Sequence, residues 1–122
     1  MSEIENERTQ LRSRMVGGLR AEHAAERVEL AGWVHRRRNL GGLVFVDLRD
    51  RSGLVQVSFG PDWTDAAAME TAGRIGHEDV IRVVGRVEVR PEGARNDDIE
   101  TGAVEVKAVT VEILSDADTP VI

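Results

Sequence analysis

Residues 32–59, GWVHRRRNLGGLVFVDLRDRSGLVQVSF, set three runs of strand-forming residues around two glycine-bearing turns, and no other stretch constrains the fold as much. In the middle run Val44, Val46 and Leu48 alternate with Leu43, Phe45, Asp47 and Arg49, so a period of two collects the aliphatics on one face. After the polar turn Asp50, Arg51, Ser52, Gly53, the next run repeats the pattern: Val55, Val57 and Phe59 on one face, Leu54, Gln56 and Ser58 on the other. Antiparallel pairing of these runs requires residues on one face to sum to a fixed parity, and Phe45 with Gln56 satisfies it. The two then point outward together, either side by side or one step apart on the diagonal. The preceding turn, Asn39 to Gly42, contains two glycines that can adopt positive φ.

An outward phenyl ring, an outward amide and Arg36, Arg37 and Arg38 at the adjoining strand end are the groups that reading a single-stranded base requires. The ring stacks, the amide reads an edge, and guanidinium groups hold phosphates. The competing reading is structural, with Phe45 packed under a loop and the arginines forming a solvated face. The net charge of −6 argues at first against a polyanionic partner. Between Trp33 and Phe59, however, five arginines face only Asp47 and Asp50, so the basic charge sits where the readout groups sit. The acidic remainder disfavours indiscriminate polyanion binding and points to a short footprint.

The chain has 122 residues, enough for one domain with a single core. It has no cysteine, which fits a reducing compartment, and no apolar run of membrane-spanning length, so a soluble cytoplasmic protein without a membrane partner is expected. Residues 1–14 are polar and aperiodic and are expected to form a flexible leader, followed by flexible Gly17 and Gly18 and a short helical turn near residues 21–26. The first strand places Val28, Leu30 and Val34 inward, with Gly32 at a bend. Residues 62–75 read as a helix capped by Asp62 and burying Ala68, Met69, Ala72 and Ile75. A strand over residues 80–90 sends Ile81, Val83, Val87 and Val89 inward and Arg82, Arg86, Glu88 and Arg90 outward, with Arg82 and Arg86 offering either an extended RNA track or cross-strand partners for Glu105 and Glu112. A long polar loop to Gly102 precedes the last strand, whose phase slips near Ala108 as a bulge would make it.

Three strands, a helix and two more strands match an all-β, five-stranded OB-fold Greek-key barrel with one helix between strands 3 and 4, here over residues 15–114. Residues 115–122 read as the start of a linker to a further domain. No catalytic residue and no metal site are expected. Gly41 and Gly42 lack the lysine of a phosphate loop, and His23, His35 and His77 lack ligand spacing. Asp47 reads as an arginine partner and Asp50 as a turn residue. Trp33 reads as packing at the bend of the first strand rather than as an RNA platform.

The stretch over residues 32–59, together with GRVEVRPEGARNDDIETGAVEVKAVTVEIL over residues 85–114, closely resembles the N-terminal anticodon-binding domain of bacterial-type aspartyl-tRNA synthetases. Asparaginyl and lysyl enzymes share the barrel, but three arginines followed by NLGGL look most like the aspartyl type. The resemblance implies a non-catalytic domain that binds the anticodon loop of aspartate tRNA, with the triplet guanosine, uridine, cytidine. By position, Phe45 would stack on the middle uridine, Gln56 would bond its edge, Arg36 and Arg38 would contact bases or backbone, and Asn96 would lie near the first base. The parent would be a homodimeric aspartate-tRNA ligase using ATP and Mg, with no cofactor in this chain. Asn39, Gly60 and Asp97 depart from the family pattern without removing a proposed contact. Two rivals remain open at this point: a general single-stranded nucleic-acid-binding OB protein, and a protein-interaction OB module.

Overall fold

The computed structural model describes residues 10–115. Five strands close the barrel: β2 (Arg27–Leu40), β3 (Leu43–Asp50), β4 (Gly53–Phe59), β5 (Val80–Val89) and β6 (Val104–Ser115). A two-residue strand, β1 (Arg12–Ser13), lies parallel to β2, and one helix, α1 (Ala66–Ala72), sits between β4 and β5. The order around the barrel is β2, β3, β4, β6, β5 and back to β2, antiparallel except where β4 meets β6. This is the expected five-stranded Greek-key barrel with its helix after the third barrel strand.

Closure depends on β2, which serves two neighbours along its length. Its first half, to Trp33, pairs with β5 and its second half, from Trp33, with β3. The bend between them is possible because position 32 is glycine: a Cβ there would lie 2.3 Å from the Arg49 carbonyl oxygen. The alternating aliphatics fill the interior as their period requires. Val28, Leu30, Val34, Val46, Leu48 and Phe59 are essentially inaccessible to solvent. The phase slip of β6 is a bulge at Val109, since Gly85 pairs with Ala108 while Val84 pairs with Thr110.

Four local expectations are corrected. The helix starts after Asp65, because Gly60 to Thr64 form a turn in which the Thr64 hydroxyl accepts from the Gly60 N–H (3.0 Å) and donates to the Ala108 carbonyl (2.6 Å). Asp62 therefore caps nothing, and Ile75 is buried beyond the helix end. Gly17 and Gly18 belong to an ordered 3-10 turn that plugs the barrel with Val16 and Leu19, both fully buried. That turn is pinned to the β3–β4 turn by Val16 N–H to Asp50 (2.8 Å) and Gly17 N–H to Ser52 Oγ (2.7 Å). At the end of β5, Val89 is half exposed and Arg90 buried, the reverse of the alternation, because Arg90 turns in to bond the backbone of Val104 and Ala94. Of the expected leader, residues 1–9 lie outside the described residues. Arg12 and Ser13 run along β2, and Arg14 forms a two-point ion pair with Glu26 (2.6 and 2.9 Å). Residues 116–122, expected as a linker, also lie outside the described residues.

Candidate nucleic-acid interface

The outward face of β2, β3 and β4 is assembled by register. Val34 points into the core opposite Leu48, so strict alternation would also send Arg36 inward. A bulge at His35 shifts the pairing, placing Arg36 opposite Asp47 and Arg38 opposite Phe45. Arg37 falls on the other face, where it reaches the C-terminal end of α1 and donates from Nη2 to the Ala72 carbonyl (3.3 Å). The triplet of arginines is thus divided between two jobs.

Across the next pairing, Phe45 stands opposite Ser58 and Asp47 opposite Gln56, so Phe45 and Gln56 are diagonal neighbours rather than a direct pair. Arg38 links them. Its guanidinium lies over the Phe45 ring, 5.6 Å from the centroid, and its Nη2 donates to Gln56 Oε1 (3.0 Å). Gln56 Nε2 in turn donates to Glu105 Oε2 on β6 (3.0 Å). A guanidinium on one side and a carboxylate on the other admit only one amide orientation. One carbonyl lone pair and one N–H of Gln56 remain to meet a ligand.

Arg36, Arg38, Asp47, Gln56, Arg90 and Asn96 line one cleft of about 180 Å³, walled at one end by Leu54 and Ile99. Phe45 borders an adjoining depression that shares Arg38, Gln56 and Arg90 with the cleft. The structure therefore brings all five expected residues, Arg36, Arg38, Phe45, Gln56 and Asn96, onto one surface. Asn96 sits at the rim in the long loop, its Oδ1 accepting from the Asp98 N–H (3.0 Å) and its own N–H bonding the Gly102 carbonyl (3.0 Å).

Two further participants escaped the sequence reading. Arg90 is 8% exposed at the edge of the cleft. Burial lowers its pKa from the ordinary value, the Glu105 and Asp47 carboxylates oppose that shift, and Arg38 adds to it. Glu105 was a candidate partner for Arg82 or Arg86 but holds Gln56, whereas Arg82 pairs with Glu29 and Glu112 (both 3.4 Å). Its outward position on β6 was the available signal.

Residues 28–114 match the tRNA anticodon family, described as an OB-fold nucleic acid binding domain. The chain belongs to that family. Among curated relatives of this anticodon-family domain, the aspartate–tRNA ligase of Streptococcus thermophilus (strain ATCC BAA-491 / LMD-9) is 50% identical over 108 residues, covering 88% of this chain and 18% of that protein. The aspartate–tRNA(Asp/Asn) ligase of Rhodococcus opacus (strain B4) is 49% identical over 107 residues, covering 88% and 17%. The chain thus spans less than a fifth of the length of these relatives. Among solved structures, asparaginyl-tRNA synthetase from Pyrococcus horikoshii complexed with asparaginyl-adenylate superposes with a TM-score of 0.66 at 25% identity, covering 84% of this chain and 22% of that one. An OBody, AM3L09, bound to hen egg-white lysozyme superposes at 0.75 with 21% identity over 87% and 97%, a likeness of fold alone.

Among the described residues of the anticodon-family domain, no group of three or more His, Cys, Asp or Glu is placed to hold a metal ion, and no helix is long and apolar enough to cross a membrane.

Proposed function

We propose that this domain reads the anticodon loop of aspartate tRNA on behalf of an aspartate–tRNA ligase, contributing recognition rather than chemistry. The observation that carries the proposal is the relay Arg38–Gln56–Glu105 beside Phe45, on an outward face bordered by Arg36, Arg90 and Asn96. The names of the relatives supply the tRNA.

Each group has a definable part. Phe45 stacks on the middle uridine, a contact worth about 1–3 kcal/mol. The free N–H and lone pair of Gln56 meet the uracil edge, which presents an N–H between two carbonyls, and the relay holds the amide in that orientation before RNA arrives. Arg36 and Arg38 meet phosphate or base groups, and Asn96 lies at the rim for the first anticodon base. Phosphate contacts set affinity and salt dependence, while stacking and the amide set selectivity. In this reading the parent ligase, a homodimer in the cytoplasm, carries the ATP and Mg chemistry elsewhere.

A second reading has one specific observation behind it: a barrel of this fold is seen bound to lysozyme, so the fold can serve protein recognition. Binding of stem-loops carrying guanosine, uridine, cytidine, or the same loop with the uridine replaced by cytidine, separates the readings when measured at two salt concentrations with Phe45→Ala as control. The anticodon reading expects a preference for uridine that Phe45→Ala abolishes. Equal, salt-labile binding of both loops contradicts it in favour of general single-strand binding, and no binding to either in favour of a protein partner.

A further inference from the structure

The outward face of the three strands contains a third row that the anticodon site leaves unused. Arg38, Phe45 and Ser58 form one row, and Arg36, Asp47 and Gln56 the next. Trp33, Arg49 and Leu54 form the third. Rows repeat every two residues, about 6.8 Å along an extended strand, a step suited to successive unstacked nucleotides. Beyond Leu54 lies a cleft of about 310 Å³, larger than the one at Gln56, bordered by Gly17, Arg49, Leu54, Ile99, Glu100 and Thr101 among others. Leu54 and Ile99 border both clefts, so the two adjoin across these side chains.

The cleft is built rather than incidental. Its loop wall is fastened to β4 by the Thr101 hydroxyl donating to the Leu54 carbonyl, and the loop closes on itself between Asn96 and Gly102. Its floor is the 3-10 turn held to the β3–β4 turn by Asp50 and Ser52. Arg49 has no hydrogen-bond or ion-pair partner among the described residues, and its Nε is buried. Buried polar groups ordinarily have partners, and a guanidinium without a carboxylate, at the mouth of an apolar cleft continuous with a basic one, is suited to phosphate. The one carboxylate that lines the cleft, Glu100, is engaged by Arg20 (3.0 Å).

We propose that the RNA path continues one row beyond the anticodon triplet: the cleft between Leu54 and Ile99 takes the base of one further loop nucleotide, and Arg49 takes its phosphate. This rests on the anticodon reading and extends its footprint. The base is held by apolar contact rather than edge reading, so the site measures whether a base is present more than which base it is.

An abasic scan tests it. Stem-loops with a single abasic replacement at each loop position are titrated against the unaltered chain, Phe45→Ala, Ile99→Ala and Arg49→Gln. The inference expects one position adjoining the triplet where base removal weakens binding by roughly five- to tenfold. That loss disappears in Ile99→Ala, and cutting the same nucleotide's phosphate charge by methylphosphonate substitution has no further effect in Arg49→Gln. A retained Phe45-dependent loss at the middle anticodon position shows that each variant is folded and bound. If the triplet positions behave as expected but no adjoining position couples to Ile99 or Arg49, the inference is overturned and the anticodon reading stands. If no triplet position shows a Phe45-dependent loss, both are overturned.

Discussion

The inner and outer faces of β3 and β4 come from the same period-two alternation but obey different physics. Inside, Val46, Leu48, Val55, Val57 and Phe59 are fully buried against other apolar groups. Outside, Phe45, Asp47, Arg49 and Gln56 are only half buried, and polar groups hold one another in place. Apolar burial is non-directional and tolerates no vacancy, so the inner face carries stability. Hydrogen bonds contribute little net free energy but fix orientation, so the outer face carries specificity. Substitutions on the two faces should therefore fail in different assays.

The sharpest break is expected at Phe59→Ala, which removes a fully buried ring and should cost about 3–5 kcal/mol, a large part of a small domain's stability, read as a fall in urea midpoint. A change below about 1 kcal/mol would mean that the inner face does not carry the fold. Gly32→Ala comes next. Its Cβ would meet backbone at 2.3 Å, and strand separation should cost about 1–3 kcal/mol in the same assay. Phe45→Ala inverts the pattern, with a nearly unchanged urea midpoint but stem-loop affinity down by about 1–3 kcal/mol, checked by titration at fixed salt. Gln56→Ala should lose about 0.5–1.5 kcal/mol of discrimination for uridine at the middle position while keeping most of the salt dependence, read by competition between loops.

The smallest effect lies away from both faces. The hydrogen bond and charge of Arg14 hold the Glu26 carboxyl below its ordinary value of 4.5, with burial opposing. A depressed folded-state pKa gives stability that is present above the unfolded value and lost as pH falls through the folded one. Acid melts should therefore show a loss below about pH 4.5 that Arg14→Gln reduces, and both groups are partly exposed, so the difference should stay under about 1 kcal/mol.

The two faces also differ in how far they could be read from sequence. Period-two alternation gave the inner residues of β3 and β4 directly, and with them the barrel, because burial of one face leaves only one register. The outer face was legible only in part. Parity placed Phe45 and Gln56 together without choosing the diagonal. The bulge at His35, which turns Arg36 and Arg38 outward and Arg37 toward α1, leaves no mark in an alternation that stops at Val34. Arg90 was misplaced because the barrel ends there and backbone carbonyls, not alternation, decide where its guanidinium goes. Val16 and Leu19 belong to the core through a turn without any period, and the helix start was masked by the Thr64 hydroxyl, which bonds Gly60 locally and Ala108 across 44 residues of chain.

Amide chemical-shift mapping of the labelled chain against the guanosine, uridine, cytidine stem-loop tests the central claim most directly. The account predicts saturable shifts concentrated at Arg36, Arg38, Phe45, Gln56 and around Asn96, with the β5 and β6 residues paired by Arg82 and Glu112 undisturbed. Shifts centred on that opposite surface, or spread evenly and abolished by modest salt, would contradict it.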